Sequence, residues 1–142
     1  MKVNVACAQI EPVRFDVEAN VKKMAEFIEK AMAQNPKTDL MKILGIMAKK
    51  HNVHIIYGFP ERDQCIDDVL YNAAVFIDNK GEILGTYRKV QLFAAEKESF
   101  RPGCEYPIFN TKIGRIGIMI CWDTAFPEVA RAYAFQGADL LV

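Results

Sequence analysis

Apolar and polar positions change period several times along this 142-residue chain. Residues 3–10 alternate loosely and read as a strand that ends at Glu11-Pro12. Val21, Met24, Ala25, Phe27, Ile28 and Ala31 then recur at helical spacing, with Asp16 or a neighbour as the cap, and Asn35-Pro36 breaks the run. A second helix is expected from about Thr38, with Leu40, Ile43, Leu44, Met47 and Ala48 inward and Lys42, Lys49 and Lys50 outward. Residues 53–59, 70–77 and 83–92 read as strands, the last two joined by Asp78-Asn79-Lys80-Gly81-Glu82 as a hairpin turn. A loop through Pro102-Gly103 and a short strand near 107–109 follow. The run up to Cys121 is short, apolar and bounded by turn signals, which suits a strand buried on both faces. Pro127 is placed to open a helix, Glu128 puts a negative charge in its first turn, and Gly137 supplies a stop. Residues 137–142 then read as the opening of another strand, so the sequence is expected to be cut after Val142. Partial alternation of strands and helices, with hairpins between, predicts an α/β or α+β class.

Composition narrows the function classes. At 51% hydrophobic and 25% charged, with 18 Lys and Arg against 18 Asp and Glu, the chain carries no basic field for nucleic acid or anionic lipid. No stretch approaches the roughly 18 apolar residues that span a bilayer. Asn4 interrupts the apolar residues after Met1, so no signal-peptide core forms there. Cys7, Cys65, Cys104 and Cys121 are scattered and form no Cys-x-x-Cys pair, which favours neither a disulfide framework nor a zinc site. A cytoplasmic setting is the expectation.

Candidate chemistry gathers at Cys121. A strand turning sharply into a helix lifts the turn residue out of the sheet and points its side chain at substrate. Backbone N–H groups near a helix N-terminus favour the thiolate, the form that attacks carbon. The same thiol is also readable as a small buried hydrophobe, or as a redox-sensing cysteine, although it has no resolving partner in sequence. Lys89 lies in Tyr87-Arg88-Lys89-Val90-Gln91-Leu92-Phe93, sharing a face with Tyr87 and Gln91 by alternation. Alone it reads as a solvated edge charge, and Glu96 and Glu98 alone read as a polar loop. His51 and His54 are the two histidines; a Cys–His dyad with either would leave Lys89 and Glu96 unexplained. Asp123 can accept local backbone N–H bonds and, with Trp122, shapes the elbow.

Taken together, Tyr-Arg-Lys-Val-x-Leu-Phe from Tyr87, Glu-x-x-x-Phe-x-Pro-Gly from Glu96, and Gly-Arg-Ile-Gly-x-Met-Ile-Cys-Trp-Asp-x-x-Phe-Pro-Glu from Gly114 closely resemble the nitrilase superfamily of carbon–nitrogen hydrolases. Ala8-Gln9 with Asp16 and Asn20, Leu70-Tyr71-Asn72-Ala73-Ala74 and Gly137-Ala138-Asp139-Leu140 extend the resemblance over most of the chain. The resemblance implies a four-layer α-β-β-α sandwich and a Glu–Lys–Cys triad, with no metal and no organic cofactor. By motif, Cys121 is the nucleophile, Lys89 the cation that stabilises the tetrahedral intermediate, and the Trp122 backbone N–H the completion of the oxyanion hole. Glu96 matches a second glutamate that orients substrate and lysine. The implied substrate is a small amide, carbamoyl compound or nitrile, and the implied assembly a homo-oligomer, with no nucleic-acid or membrane partner.

The pattern departs from the family at two places, near residues 34–35 and beyond Val142, where the family's C-terminal half is expected. The family's general-base glutamate belongs to a Phe-Pro-Glu motif after the first long helix, whereas here Ala31-Met32-Ala33-Gln34 passes straight to Asn35-Pro36-Lys37-Thr38. The chain is therefore expected to be one carbon–nitrogen hydrolase domain over 1–142, shortened near residues 34–35 and truncated after 142. Phe59-Pro60-Glu61 is a tempting substitute, but it follows the strand at 53–59, where the family has its third strand and an ordinary glutamate. Two readings of this chain stay open: an active hydrolase, or a non-catalytic fragment that keeps the scaffold for binding or assembly.

Overall fold

The computed structural model describes residues 40–66 and 68–142. The expected strand at 3–10, the helical stripe from Val21 to Ala31, the junction at 34–35 and Cys7 lie outside the described residues, as does the expected helix start at Thr38. Contacts gather Met41–Val142 into one compact unit.

Helix α1 (Leu40–His51) buries Ile43, Leu44 and Ala48 on one face and exposes Lys42, Lys49 and Lys50 on the other, as the periodicity predicts. Its last turn carries Lys49, Lys50 and His51 against the negative end of the helix dipole. Asn52 follows in the left-handed region (φ 53°), and the Val53 N–H closes the end by donating to the Ala48 carbonyl at 3.0 Å.

The first sheet contains β1 (Ile55–Arg62), β2 (Leu70–Ile77) and β3 (Ile83–Arg88), in the order β1-β2-β3 and antiparallel throughout. β2 has the expected bounds. β1 starts two residues later than expected because Val53 and His54 complete the exit from α1, and it runs on through Pro60 to Arg62. Pro60 is tolerated in the β1–β2 ladder because the Asp63 N–H bonds the Val69 carbonyl, which by alternation turns the Pro60 nitrogen away from β2. β3 stops at Arg88 rather than Leu92, since the Gln91 N–H turns away to the Asp123 side chain. Asp78 fastens the β2–β3 turn by accepting the Lys80 and Glu82 N–H groups.

The second sheet holds β4 (Phe109–Thr111), β5 (Gly114–Gly117) and β6 (Leu140–Leu141); β4 runs antiparallel and β6 parallel to β5. Ala74, Phe76 and Tyr87 from the first sheet meet Phe109, Ile116 and Ile118 from the second, and this is the core. Full burial of side chains of this size contributes about 1.5–3 kcal/mol each. Helix α3 (Pro127–Phe135) begins at Pro127, as expected, and buries Val129 and Tyr133. Tyr133 lies against Gly117, where a Cβ would collide with its ring, and its hydroxyl donates to the Ile118 carbonyl at 2.7 Å. Gly137 (φ 78°) then ends the helix. The α/β class inferred from the sequence is the observed one, with side chains of the two sheets meeting in one core and α3 packed through Tyr133 against Gly117 of β5.

Candidate active site

Alternate residues at the end of β3 leave in opposite directions. Tyr87 and Lys89 point inward and are 0% and 1% exposed, whereas Arg88 points outward. The backbone of Lys89 is held on both sides: its N–H donates to the Asn72 carbonyl at 2.8 Å, and its carbonyl accepts from the Gly103 N–H at 2.8 Å. Position 103 must be glycine for this approach, since a Cβ there would run into the Arg88 carbonyl.

The Lys89 ammonium donates to Glu96 Oε2 at 2.6 Å. Glu96 opens the single-turn helix α2 (Glu96–Ser99). Its Oε2 also accepts the Phe93 N–H at 2.7 Å, and its Oε1 accepts Asn72 Nδ2 at 2.8 Å. Burial alone would raise the Glu96 carboxyl. The bonds from Lys89, Phe93 and Asn72, with the lysine's charge, outweigh it and hold the group below the usual glutamate value. Asn72 is a residue to which sequence reasoning assigned no role. The available signal is a polar side chain on the same strand face as Ala74 and Phe76.

Beyond β5 the backbone stays extended to Ile120 and then tightens into a 3₁₀ turn, Cys121–Ala125. The sequence reading set Cys121 beside the N-terminus of the following helix. That helix, α3, starts only at Pro127, and the amides around Cys121 belong to the 3₁₀ turn instead. Cys121 takes a left-handed conformation (φ 47°) and its side chain is exposed, while Thr124 Oγ1 donates to its carbonyl at 2.7 Å. The Trp122 N–H is the second amide of the turn and has no acceptor within it. The Trp122 ring packs on Phe93, 4.6 Å between centroids.

Asp123 is fully buried. Its Oδ2 accepts the Tyr87 hydroxyl at 2.7 Å and the Ile120 N–H at 2.8 Å, and its Oδ1 accepts the Gln91 N–H at 2.8 Å. Burial first, then the Asp123 carboxyl, push the Tyr87 hydroxyl far above its ordinary value, so it remains a donor. The four described non-glycine residues at positive φ are Asn52, Asp68, Ala94 and Cys121. Asn and Asp tolerate that conformation readily. The other two stand at this site, Ala94 beside Phe93 and Cys121 at the elbow, where backbone strain tends to gather.

Lys89 and Glu96 are therefore in direct contact. Among the described residues, Cys121 and Trp122 connect to them through neighbours, by the Asp123 bonds and the Phe93–Trp122 stack. Glu61 stands apart. Arg88 grips it with Nε and one terminal nitrogen, at 2.7 and 3.0 Å, on the outward face. His54 packs its ring near Phe76, centroids 5.8 Å apart, and Cys65 and Cys104 are exposed. Among the described residues no group of three or more His, Cys, Asp or Glu could hold a metal ion. No helix among them is long and apolar enough to cross a membrane.

Comparison with known proteins supplies the family. A relative from Schizosaccharomyces pombe assigned to the nitrilases is 40% identical over all of this chain and 63% of its own length. A Pyrococcus abyssi nitrilase is 37% identical over 92% of this chain and 48% of its own. The chain thus spans less than two thirds of these relatives. Among solved structures, an amidase from Nesterenkonia sp. AN1, with acrylamide added at its active-site cysteine, aligns with a TM-score of 0.64 and 29% identity over 71% of this chain and 40% of its own. A carbon–nitrogen hydrolase from Helicobacter pylori G27 gives 0.68 and 25% over 87% and 54%. The carbon–nitrogen hydrolase family model matches residues 35–142. This chain belongs to the carbon–nitrogen hydrolase family, in the nitrilase superfamily.

Proposed function

We propose that this site hydrolyses the non-peptide carbon–nitrogen bond of a small amide, carbamoyl compound or nitrile through a thioester on Cys121. The observation that carries the reading is the fully buried Lys89 ammonium, fixed on Glu96 at 2.6 Å and tied through the chain to a strained, exposed cysteine. An ammonium has three donors, and Glu96 is its partner among the described residues, so N–H bonds remain for a bound group.

With an amide, the Cys121 thiolate attacks the carbonyl carbon and a C–S bond forms. The carbonyl electron pair moves onto oxygen, where the Lys89 ammonium and the Trp122 N–H stabilise it. As the oxygen's electron pair returns, the C–N bond breaks and the nitrogen leaves as ammonia or an amine, taking by way of solvent the proton that the Cys121 thiol gave up. Water then attacks the thioester, giving the carboxylic acid and the free thiol. Glu96 orients the lysine and the substrate. The reading supports a homo-oligomeric, cytoplasmic enzyme that needs no cofactor.

The family's general base belongs to a segment we propose to be shortened near residues 34–35. The family match beginning at residue 35, and a 171-residue alignment that is longer than the 142-residue chain it covers, support this. Glu61, engaged by Arg88 on the outward face, is not its replacement. The shortening favours the second reading, a non-catalytic scaffold.

Ammonia release across a panel of amides, carbamoyl compounds and nitriles separates the two, with intact mass reporting the acyl adduct on Cys121. Release and adduct that both vanish in Cys121→Ser support hydrolysis. Release that survives Cys121→Ser overturns it, and the absence of release and adduct from the wild type leaves the scaffold.

A further inference from the structure

We infer that Asp123 is a positioning residue that locks the cysteine elbow to the lysine-bearing strand end. Its kinetic consequence rests on the hydrolase reading above; its geometry does not. Lys89 lies midway between Tyr87 and Gln91, and both neighbours donate to the Asp123 carboxyl, at 2.7 and 2.8 Å. Cys121 lies between Ile120 and Asp123 in sequence, and the Ile120 N–H donates to the same carboxyl at 2.8 Å. One fully buried side chain thus ties the residues that flank the lysine to the residues that flank the cysteine.

The arrangement resists shear between the two segments. Sliding one against the other would strand the buried Tyr87 hydroxyl and leave the buried Asp123 carboxylate short of donors. Placing reacting groups is sensitive on this scale, since a displacement of about 1 Å can cost about a hundredfold in rate. Asparagine cannot substitute, because it offers one acceptor oxygen where three donors converge, and its NH₂ would face an N–H or O–H. The Phe93–Trp122 stack is a second strut across the same junction.

Three variants test this: Asp123→Asn, Tyr87→Phe and the two combined. The readouts are kcat and KM for ammonia release, thermal unfolding, and the rate of Cys121 alkylation by iodoacetamide, read by mass spectrometry with Cys65 and Cys104 as internal controls. Asp123→Asn is expected to lower kcat about 10–100-fold with KM changed less than about twofold. Tyr87→Phe should lose less, and the double variant should lose less than the sum of the two single losses, because the two residues share a bond. Alkylation of Cys121 should change by at least about threefold, with Cys65 and Cys104 unchanged. A folded Asp123→Asn protein with wild-type kcat and wild-type alkylation overturns the inference, as do losses that simply add. If Asp123→Asn does not fold, Tyr87→Phe, which keeps the buried ring, decides by the same readouts. A wild type that releases no ammonia counts against the hydrolase reading alone, and alkylation then decides the positioning role.

Discussion

Two ion pairs leave neighbouring residues of one strand end in opposite directions. Outward, Arg88 holds Glu61 with two nitrogens, stacks over the Tyr71 ring at 3.9 Å, and has Asp63 at 3.9 Å. Inward, Lys89 meets Glu96 at 2.6 Å. The distances are alike and the environments are not. The Arg88 side chain is 35% exposed and its guanidinium is held by Glu61 at its edge and by the Tyr71 ring on one face, which describes a structural clamp. The Lys89 side chain is 1% exposed, and a compact ammonium there is a concentrated charge in a low-dielectric setting. A short salt bridge says little about purpose. Which face of the strand it leaves from says more.

The contrast is open to direct attack, beginning with the proposed nucleophile, on the hydrolase reading. Cys121→Ser should lower ammonia release by about a thousandfold or more, with thermal unfolding nearly unchanged because the side chain is exposed. Lys89→Met should remove hydrolysis as thoroughly, and urea unfolding should show a loss of about 2–4 kcal/mol because Glu96 keeps its other bonds but loses its cation. Arg88→Met, one residue away, should cost only about 1 kcal/mol in the same assay, since its pair is partly solvated, and leave kcat within about threefold. A collapse of kcat in folded Arg88→Met would break the contrast between the faces.

The smallest effect is the acid limb of stability. The Glu96 carboxyl sits lower in the folded protein than its ordinary value of 4.5. Its contribution is therefore complete above that value and is lost as pH falls through the depressed folded value. Unfolding temperature followed from neutral into acid should drop across that window, and Glu96→Gln should flatten the drop.

What the chain pattern reveals divides along physical lines. β2 and α3 are legible at their ends, β2 through a largely apolar run, interrupted only at Asn72 and bounded by turns, and α3 through Pro127 and Gly137. Where an element ends because of a distant partner, local pattern has nothing to report. β3 stops early because Gln91 bonds Asp123, 32 residues on, and β1 runs past Pro60 because the proline nitrogen faces away from its partner strand β2. The same divide runs through the site. Lys89, Glu96, Cys121 and Trp122 stand out through motif spacing. Asn72, whose amide crosses 24 positions to Glu96, and the Tyr87–Asp123 bond become visible only when the chain is folded.

The backbone at Cys121 carries a lesson about what stability alone would choose. A φ of 47° is one that glycine adopts without steric cost, whereas a side chain there costs about 1–3 kcal/mol. A β-branched residue such as threonine fares worse still, which disfavours it as a replacement for cysteine at this position. The Cys121→Gly protein should thus be an inert protein at least as robust as its parent, and the difference between the two is the standing cost of keeping a thiol on that corner.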